Sequence, residues 1–283
     1  MSCNKKWVKL IFNSEETVNL TEIDGFDFIQ YEKYEVQGNN EVLEVKGTDG
    51  ALPTLTTYGQ FTINLKFRYT GVDSLDVDLF LQHLDSIMYK RTPYYMINSI
   101  TPNKKYAVLP TPKISYEFKT IRHYDINIEF TCYKGYAESL YDTDQFSLMS
   151  DNWQFESGLV PDDTISYNHT RTNFEIFNGS SDTINPRMRH RLKIYIQLNA
   201  KNGFRLVNKT TGDTFDYKKE IDINTPLTLE GGYPFLHVNT SKIRCGRSTN
   251  HGIITLAPGY NKFEIWGNAS DVNIKFIFPF IYR

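Results

Sequence analysis

The sequence predicts a mainly β protein: an N-terminal β-sandwich or split-barrel-like domain carrying one α-helix, followed by a C-terminal β-sandwich of jelly-roll or lectin type. Three observations carry this. Residues 59–69 and 124–132 alternate apolar and polar side chains, the period of a half-buried strand. Only residues 73–90 show a helical period. From residue 172 onward, short apolar segments are separated by turn signals at a spacing of roughly 8–12 residues, the pattern of an all-β sandwich.

In chain order, residues 7–12 form a first strand. Residues 31–36 and 41–45 flank Gln37-Gly38-Asn39-Asn40, which reads as a hairpin turn. Gly47-Thr48-Asp49-Gly50-Ala51-Leu52-Pro53 reads as a loop. Then Phe61, Ile63, Leu65, Phe67 and Tyr69 alternate with Gln60, Thr62, Asn64, Lys66 and Arg68. This strand leads into the helix, where Val77, Phe80, Leu81, Leu84, Ile87 and Met88 share one face. Asp73 is its expected N-cap, Asp76 and Asp78 suit the positive end of its dipole, and Pro93 forbids continuation. His83 falls off the apolar stripe and is expected to face solvent. Short strands at 94–97 and 106–109 bracket Thr101-Pro102-Asn103. In 124–132, Tyr124, Ile126, Ile128, Phe130 and Cys132 form the buried set. A lone one-sided helix has to bury its stripe against the sheet these strands make.

Apolar periodicity fades over 136–171, which reads as linker and domain entry between domains at 1–135 and 172–283. Candidate strands beyond it are 174–177, 192–198, 204–207, 214–217, 227–229, 235–238, 253–256, 263–266 and 272–280. Asn178-Gly179, Asn202-Gly203, Thr211-Gly212-Asp213, Gly231-Gly232 and Pro258-Gly259 supply the turns.

At 283 residues two domains are the default, and 19 Tyr with 19 Phe favour strands and aromatic contact surfaces. A net charge of −2 gives no global pull toward nucleic acid or anionic membrane. Cys3, Cys132 and Cys245 are an odd, scattered set without C-x-x-C, which argues against a disulfide framework. The opening Met-Ser-Cys-Asn-Lys-Lys-Trp has no apolar signal core, and no apolar run reaches membrane-span length, so synthesis in a reducing cytoplasm is expected. Asn19, Asn168, Asn178, Asn208, Asn239 and Asn268 match N-x-[ST], read as a by-product of an Asn-rich chain.

Catalytic signatures are missing: no G-x-G-x-x-G, no phosphate-loop motif and no G-x-S-x-G. His83, His123, His169, His190, His237 and His251 lack metal-ligand spacing, and Cys245 with His251 lacks two further ligands, so no metal and no cofactor are expected. Arg187-Met188-Arg189-His190-Arg191 reads as a solvated loop rather than an anion patch, and Asp162-Asp163 as a solvated loop rather than half of a glycosidase pair. Trp153, Tyr195, Tyr233 and Trp266 are candidate sugar platforms, for which core or interface packing is the commoner use. Trp266 continues its strand with inverted facing and is the candidate outward aromatic.

The order of several segments resembles the distal tail proteins of long-tailed siphophages of Gram-positive bacteria, of staphylococcal or related type. In the N-terminal half these are Gly47-Thr48-Asp49-Gly50, strand 59–69, the helix, and strand 126–132. In the second half they are Phe174-Glu175-Ile176-Phe177-Asn178-Gly179 with Pro186, Val207-Asn208-Lys209-Thr210-Thr211-Gly212, Ile254-Thr255-Leu256-Ala257-Pro258-Gly259-Tyr260-Asn261, and the closing Phe276-Ile277-Phe278-Pro279-Phe280-Ile281-Tyr282. The resemblance implies a homohexameric ring made by the N-terminal domains, with galectin-like C-terminal domains pointing outward. The implied partners are the tail tube protein, the tail-associated tip protein and a receptor-binding protein, in the virion tail tip, with no catalytic residues to transfer. The competing readings are a carbohydrate-binding adhesin recognising host cell-wall glycan and a wall-degrading enzyme.

A ring needs heterologous interfaces that close by rotation. The candidate ring-interface loop is Gly47, Asp49, Gly50, Leu52, Pro53, Leu55 and Tyr58. It has more residues than a tight hairpin needs, and its apolar members call for a covering surface.

Overall fold

The computed structural model describes residues 6–13, 15–54, 56–120, 122–147, 153 and 165–283. The chain divides into two compact units, residues 1–137 with 283, and residues 138–282.

The first unit contains β1 (Val8–Ile11), β2 (Thr17–Asn19), β3 (Phe26–Lys33), β4 (Gly38–Asn39), β5 (Val42–Glu44), β6 (Ala51–Pro53), β7 (Thr57–Tyr58), β8 (Phe61–Thr70), α1 (Ser74–Met88), β9 (Tyr94–Asn98), β10 (Lys104–Val108), β11 (Lys113–Thr120) and β12 (His123–Cys132). Its main sheet runs β2-β1-β9-β10-β12-β8-β3 with every pairing antiparallel, and β11 pairs alongside β12. The two alternating segments lie side by side: Ile63 faces Phe130, Leu65 faces Ile128 and Phe67 faces Ile126, all fully buried. Such directly opposed apolar pairs are the unit of sheet stabilisation.

Helix α1 starts where its cap was expected. The Asp73 Oδ1 accepts the Asp76 N–H at 2.9 Å, and Asp76 Oδ2 accepts the Val72 N–H at 2.9 Å and the Tyr69 hydroxyl at 3.1 Å. Val77, Phe80, Leu84 and Met88 are buried, Leu81 and Ile87 half-buried, and His83 exposed. The Phe80 ring stacks on Tyr69 at 3.9 Å and tilts against Phe26 at 4.9 Å, which fixes the helix on the β8–β3 part of the sheet. Directly across β8 and β12, the buried Asp125 carboxylate accepts from Arg68 at 2.9 Å and meets Lys66 at 3.2 Å.

Two sequence readings of this unit need correction. Gln37-Gly38-Asn39-Asn40 is no turn: Gly38 and Asn39 are strand β4, paired with β7. The chain reverses instead beyond β5, at Gly47 and Gly50, whose φ values of 87° and 80° need glycine. Strand β11, read from no motif, is an outer strand whose residues are exposed except for a half-exposed Ile114.

The second unit holds β14 (Asn168–His169), β15 (Asn173–Asn178), β16 (Lys193–Asn199), β17 (Phe204–Asn208), β18 (Thr214–Tyr217), β19 (Leu227–Glu230), β20 (Tyr233–Val238), β21 (Ser241–Arg244), β22 (Gly259–Trp266) and β23 (Ser270–Ile277); the short strands β13 (Ala137–Ser139) and β24 (Ile281–Tyr282) pair with each other. They form a six-stranded sheet, β14-β23-β16-β19-β20-β21, and a four-stranded sheet, β15-β22-β17-β18. Phe174 of β15 and Phe263 of β22 meet Phe276 of β23 at 6.0 and 4.8 Å, so aromatic rings from both sheets share one core, as in a β-sandwich.

Residues 253–256, expected as a strand, contribute only an isolated bridge from Leu256 to Ile184. Three fully buried asparagines hold this stretch instead. Asn208 Nδ2 donates to Thr255 O at 2.8 Å, Asn178 Nδ2 to Leu256 O at 2.9 Å, and Asn261 Nδ2 to Ala257 O at 2.7 Å. Side-chain amides replace the ladder and satisfy carbonyls that a buried loop would leave orphaned.

The expected strand 272–280 breaks after Ile277. Thr143 Oγ1 donates to Phe276 O at 2.8 Å and accepts the Phe278 N–H at 3.1 Å, and Ser139 Oγ accepts the Phe280 N–H at 3.0 Å. Pro279 has no N–H to offer a ladder. These bonds build residues 139–143 of the expected 136–171 linker into the second unit. Tyr167, also from that segment, is buried there, its hydroxyl donating to Phe177 O at 2.8 Å.

Candidate assembly site: an exposed β-arm

Beyond the sheet, β3 and β8 continue outward as a two-stranded ribbon. Tyr34 N–H donates to Thr62 O at 3.0 Å, Gly59 N–H to Gln37 O at 2.8 Å, and Thr54 N–H to Glu41 O at 2.9 Å. Gly38 then opposes Tyr58, Val42 opposes Pro53 and Leu43 opposes Leu52. Threonine hydroxyls reinforce the arm: Thr54 Oγ1 donates to Glu41 O at 2.7 Å and Thr56 Oγ1 to Asn40 Oδ1 at 2.7 Å. At about 3.3 Å per residue, the ribbon from residue 34 to residue 45 reaches roughly 35 Å.

Every described residue from 37 to 58 is exposed. Val42, Leu43 and Leu52 are 61%, 58% and 60% exposed. Alternation places Leu43, Val45 and Leu52 on one face and Val42, Ala51 and Pro53 on the other, so both faces are apolar. A Cβ built at Gly47 or Gly50 would meet nothing within 4 Å, which puts the tip in open space. An isolated two-stranded ribbon is marginal in water, and apolar side chains on both faces add surface that wants covering.

Of the loop residues singled out in the sequence, Gly47, Asp49 and Gly50 form the tip, Leu52 and Pro53 lie on β6, and Tyr58 lies on β7 at the root. Leu55 lies outside the described residues. Tyr34, Val42, Leu43 and Val45 belong to the same exposed arm and were missed, although apolar residues stand on either side of Gly47-Thr48-Asp49-Gly50.

In the second unit Trp266 faces outward, 47% exposed, with the Arg205 guanidinium 5.8 Å from its ring centroid. Tyr233 is exposed beneath Arg244, whereas Trp153 is buried against Phe146 and Phe280. In the basic cluster His190 is buried, its Nδ1 accepting the Asn185 N–H at 3.0 Å, and Arg191 pairs with Asp142, so the segment is only partly a solvated loop. Cys132 is buried, and desolvation pushes its thiol up to about 12; Cys245 is raised for the same reason. Asp162, Asp163 and Cys3 lie outside the described residues. Among the described residues, no group of three or more His, Cys, Asp or Glu could hold a metal ion, and no helix is long and apolar enough to cross a membrane.

Residues 9–132 match the family model described as the phage tail protein RIFT-related domain. No curated protein matches the sequence. Among solved structures, the chain is similar over 98% of its length, and 99% of the other's, to the SPP1 Dit (gp 19.1) protein, with a TM-score of 0.64 at 11% identity. That protein is described as a paradigm of the hub adsorption apparatus of phages infecting Gram-positive bacteria. Chains of the phage p2 baseplate in its activated conformation also match, with strontium (TM-score 0.45, 11% identity) and with calcium (TM-score 0.43, 12% identity), each over 96% of this chain and 97% of the other. The mainly β fold and the resemblance to siphophage distal tail proteins read from the sequence are both met by the family match and the likeness to the SPP1 Dit protein.

Proposed function

We propose that this protein is a structural distal tail component of a bacteriophage, a baseplate hub in the virion, rather than an enzyme. It assembles as a homohexameric ring joining the tail tube protein to the tail-associated tip protein and carrying receptor-binding protein at its periphery. Two findings support this together: a phage-tail domain in residues 9–132, and a fold likeness to a Dit hub along the whole chain.

The β-arm carries the assembly part of the reading. A rotational ring requires one surface on each protomer to meet a different surface on the next. The arm leaves its own sheet behind and exposes apolar side chains on both faces. Leu52, Pro53 and Leu55, with Val42, Leu43 and Val45 on the opposite strand, are its contact residues. Gly47, Asp49 and Gly50 shape the tip, and Tyr58 anchors the root. Negative-stain electron microscopy of the purified chain is the direct test: closed six-fold rings support the reading, and a uniform monomer at every accessible concentration refutes it.

A further inference from the structure

We infer that the second unit carries a saccharide-binding groove at one end of its sandwich, with Trp266 as the stacking platform and a neutral or N-acetylated oligosaccharide as ligand. Two depressions meet there. One, of about 730 Å³, is lined by Lys201, Asn202, Glu220, Asp222 and Asn268 among others. The second, of about 360 Å³, is lined by Arg205, Asp216, Lys218 and Trp266. They share Asn202, Gly203 and Gly267 as a common wall. A Cβ at Gly203 would fall 2.0 Å from Tyr217 O, and one at Gly267 would fall 3.1 Å from Gly203 O, so this wall is bare backbone packed closely on backbone. No side chain rises between the depressions at these two positions, and an extended ligand can lie across both.

The chemistry of the lining selects the ligand class. Trp266, Arg205 and Asp216 stand in register across β22, β17 and β18. Arg205 Nε and Nη2 donate to the two Asp216 oxygens at 2.6 and 2.8 Å, so the guanidinium beside the Trp266 ring is fixed before any ligand arrives. A half-exposed aromatic ring held in place offers an apolar platform to the C–H face of a sugar. Around it, the side chains of Lys201, Asn202, Glu220 and Asn268 make no hydrogen bond among the described residues and are available to hydroxyl and acetamido groups. With Arg205 and Asp216 cancelling, Lys201 and Lys218 balance Glu220 and Asp222. A balanced lining gives no attraction to a polyanion and fits an uncharged ligand. The two volumes lie in the ~300–1,000 Å³ range of small-ligand clefts.

The test is isothermal titration of the full chain with chitotetraose, maltotetraose and poly(glycerol phosphate). At least one neutral tetrasaccharide binds the wild type, and Trp266→Ala weakens it about tenfold or more, as for truncation of an aromatic anchor. Asn268→Ala, on an exposed residue, weakens it several-fold with an unchanged melting temperature. Tyr233→Ala, an exposed aromatic beneath Arg244 on β20, leaves it unchanged. The inference is overturned if no neutral saccharide binds at millimolar concentration, if binding survives Trp266→Ala intact, if Tyr233→Ala costs as much, or if poly(glycerol phosphate) is the preferred ligand. None of these outcomes touches the hub assignment, which rests on the first unit and the whole-chain fold.

Discussion

If the arm packs on a neighbouring protomer, removing its apolar side chains has to weaken assembly while sparing the fold. Leu43 and Leu52 face each other across the ribbon and are 58% and 60% exposed. Full burial of a leucine side chain contributes about 1.5–3 kcal/mol, so covering the exposed three-fifths contributes about 1–2 kcal/mol for each. Leu43→Ser with Leu52→Ser therefore removes about 2–4 kcal/mol per arm contact, a loss of roughly thirtyfold to several hundredfold in the dissociation constant of each interface. Within the monomer the same change removes one cross-strand pair, about 0.2–1 kcal/mol, at a distance from the core. Because assembly is linked to concentration, multi-angle light scattering over a dilution series reads the shift, and thermal melts at the lowest concentration report on the monomer. A companion variant excises residues 40–56 and joins the opposed residues Asn39 and Thr57 by Asn-Gly, a turn suited to a two-residue hairpin. Unchanged oligomers in both variants refute the assignment. So does loss of oligomers accompanied by a collapse of the monomer melt, because the arm is then part of the fold.

Asn261→Ala removes an amide that donates to the Ile176, Ala257 and Gly259 carbonyls and accepts from the Ala257 N–H and the Asn208 amide in the buried asparagine cluster; it should cost about 1–3 kcal/mol in urea unfolding of the second unit. Arg68 and Lys66 hold the Asp125 carboxyl below its ordinary range, so its stabilising contribution is present above the unfolded aspartate pKa and is lost as pH falls through the lowered folded value; Asp125→Asn should flatten that acid limb of the melting-temperature profile. The Cys132 thiol, raised to about 12, contributes stability present below the unfolded cysteine pKa and lost as pH rises toward the folded one; under native conditions it should resist iodoacetamide and become reactive in denaturant. A chain truncated to 172–283 lacks Ser139, Thr143 and Tyr167, whereas 138–282 keeps them; the shorter fragment should melt well below the longer one, and equal melting temperatures in calorimetry would place the boundary at 172.

What was legible in the sequence is what local periodicity encodes. The alternation of Phe61, Ile63, Leu65, Phe67 and Tyr69 survives as a buried stripe because one face of β8 is covered and the other is not, so each apolar position reports its own environment. The helix was equally plain, since Asp73, the apolar stripe and Pro93 all act within a few residues of themselves. Strand β11 gave no usable signal because both of its faces lie at the surface, and Tyr116 and Phe118 are as exposed as their polar neighbours. The buried asparagines failed for a different reason. Asn178, Asn208 and Asn261 have the composition of turns, and the carbonyls and amide they satisfy lie as far as 78 residues away for Asn178 and 53 for Asn208, distances at which local reading has no purchase.

The arm combines both situations. Leu52 and Pro53 stood out as apolar residues in need of a cover, but Val42 and Leu43 were assigned to another hairpin because Gly38-Asn39 has the composition of a turn. Strand and turn differ there by backbone angle alone: Gly38 keeps a negative φ while Gly47 and Gly50 take positive ones. Moving the reversal from 38–39 to 47–50 brings four apolar residues, Val42, Leu43, Leu52 and Pro53, onto one ribbon. A loop with three apolar residues can fold back on its own sheet and need no partner. A paired ribbon carries its own ladder from Tyr34 to Pro53 and leaves apolar side chains exposed on both faces, and that is the ground for the proposed reach toward another protomer.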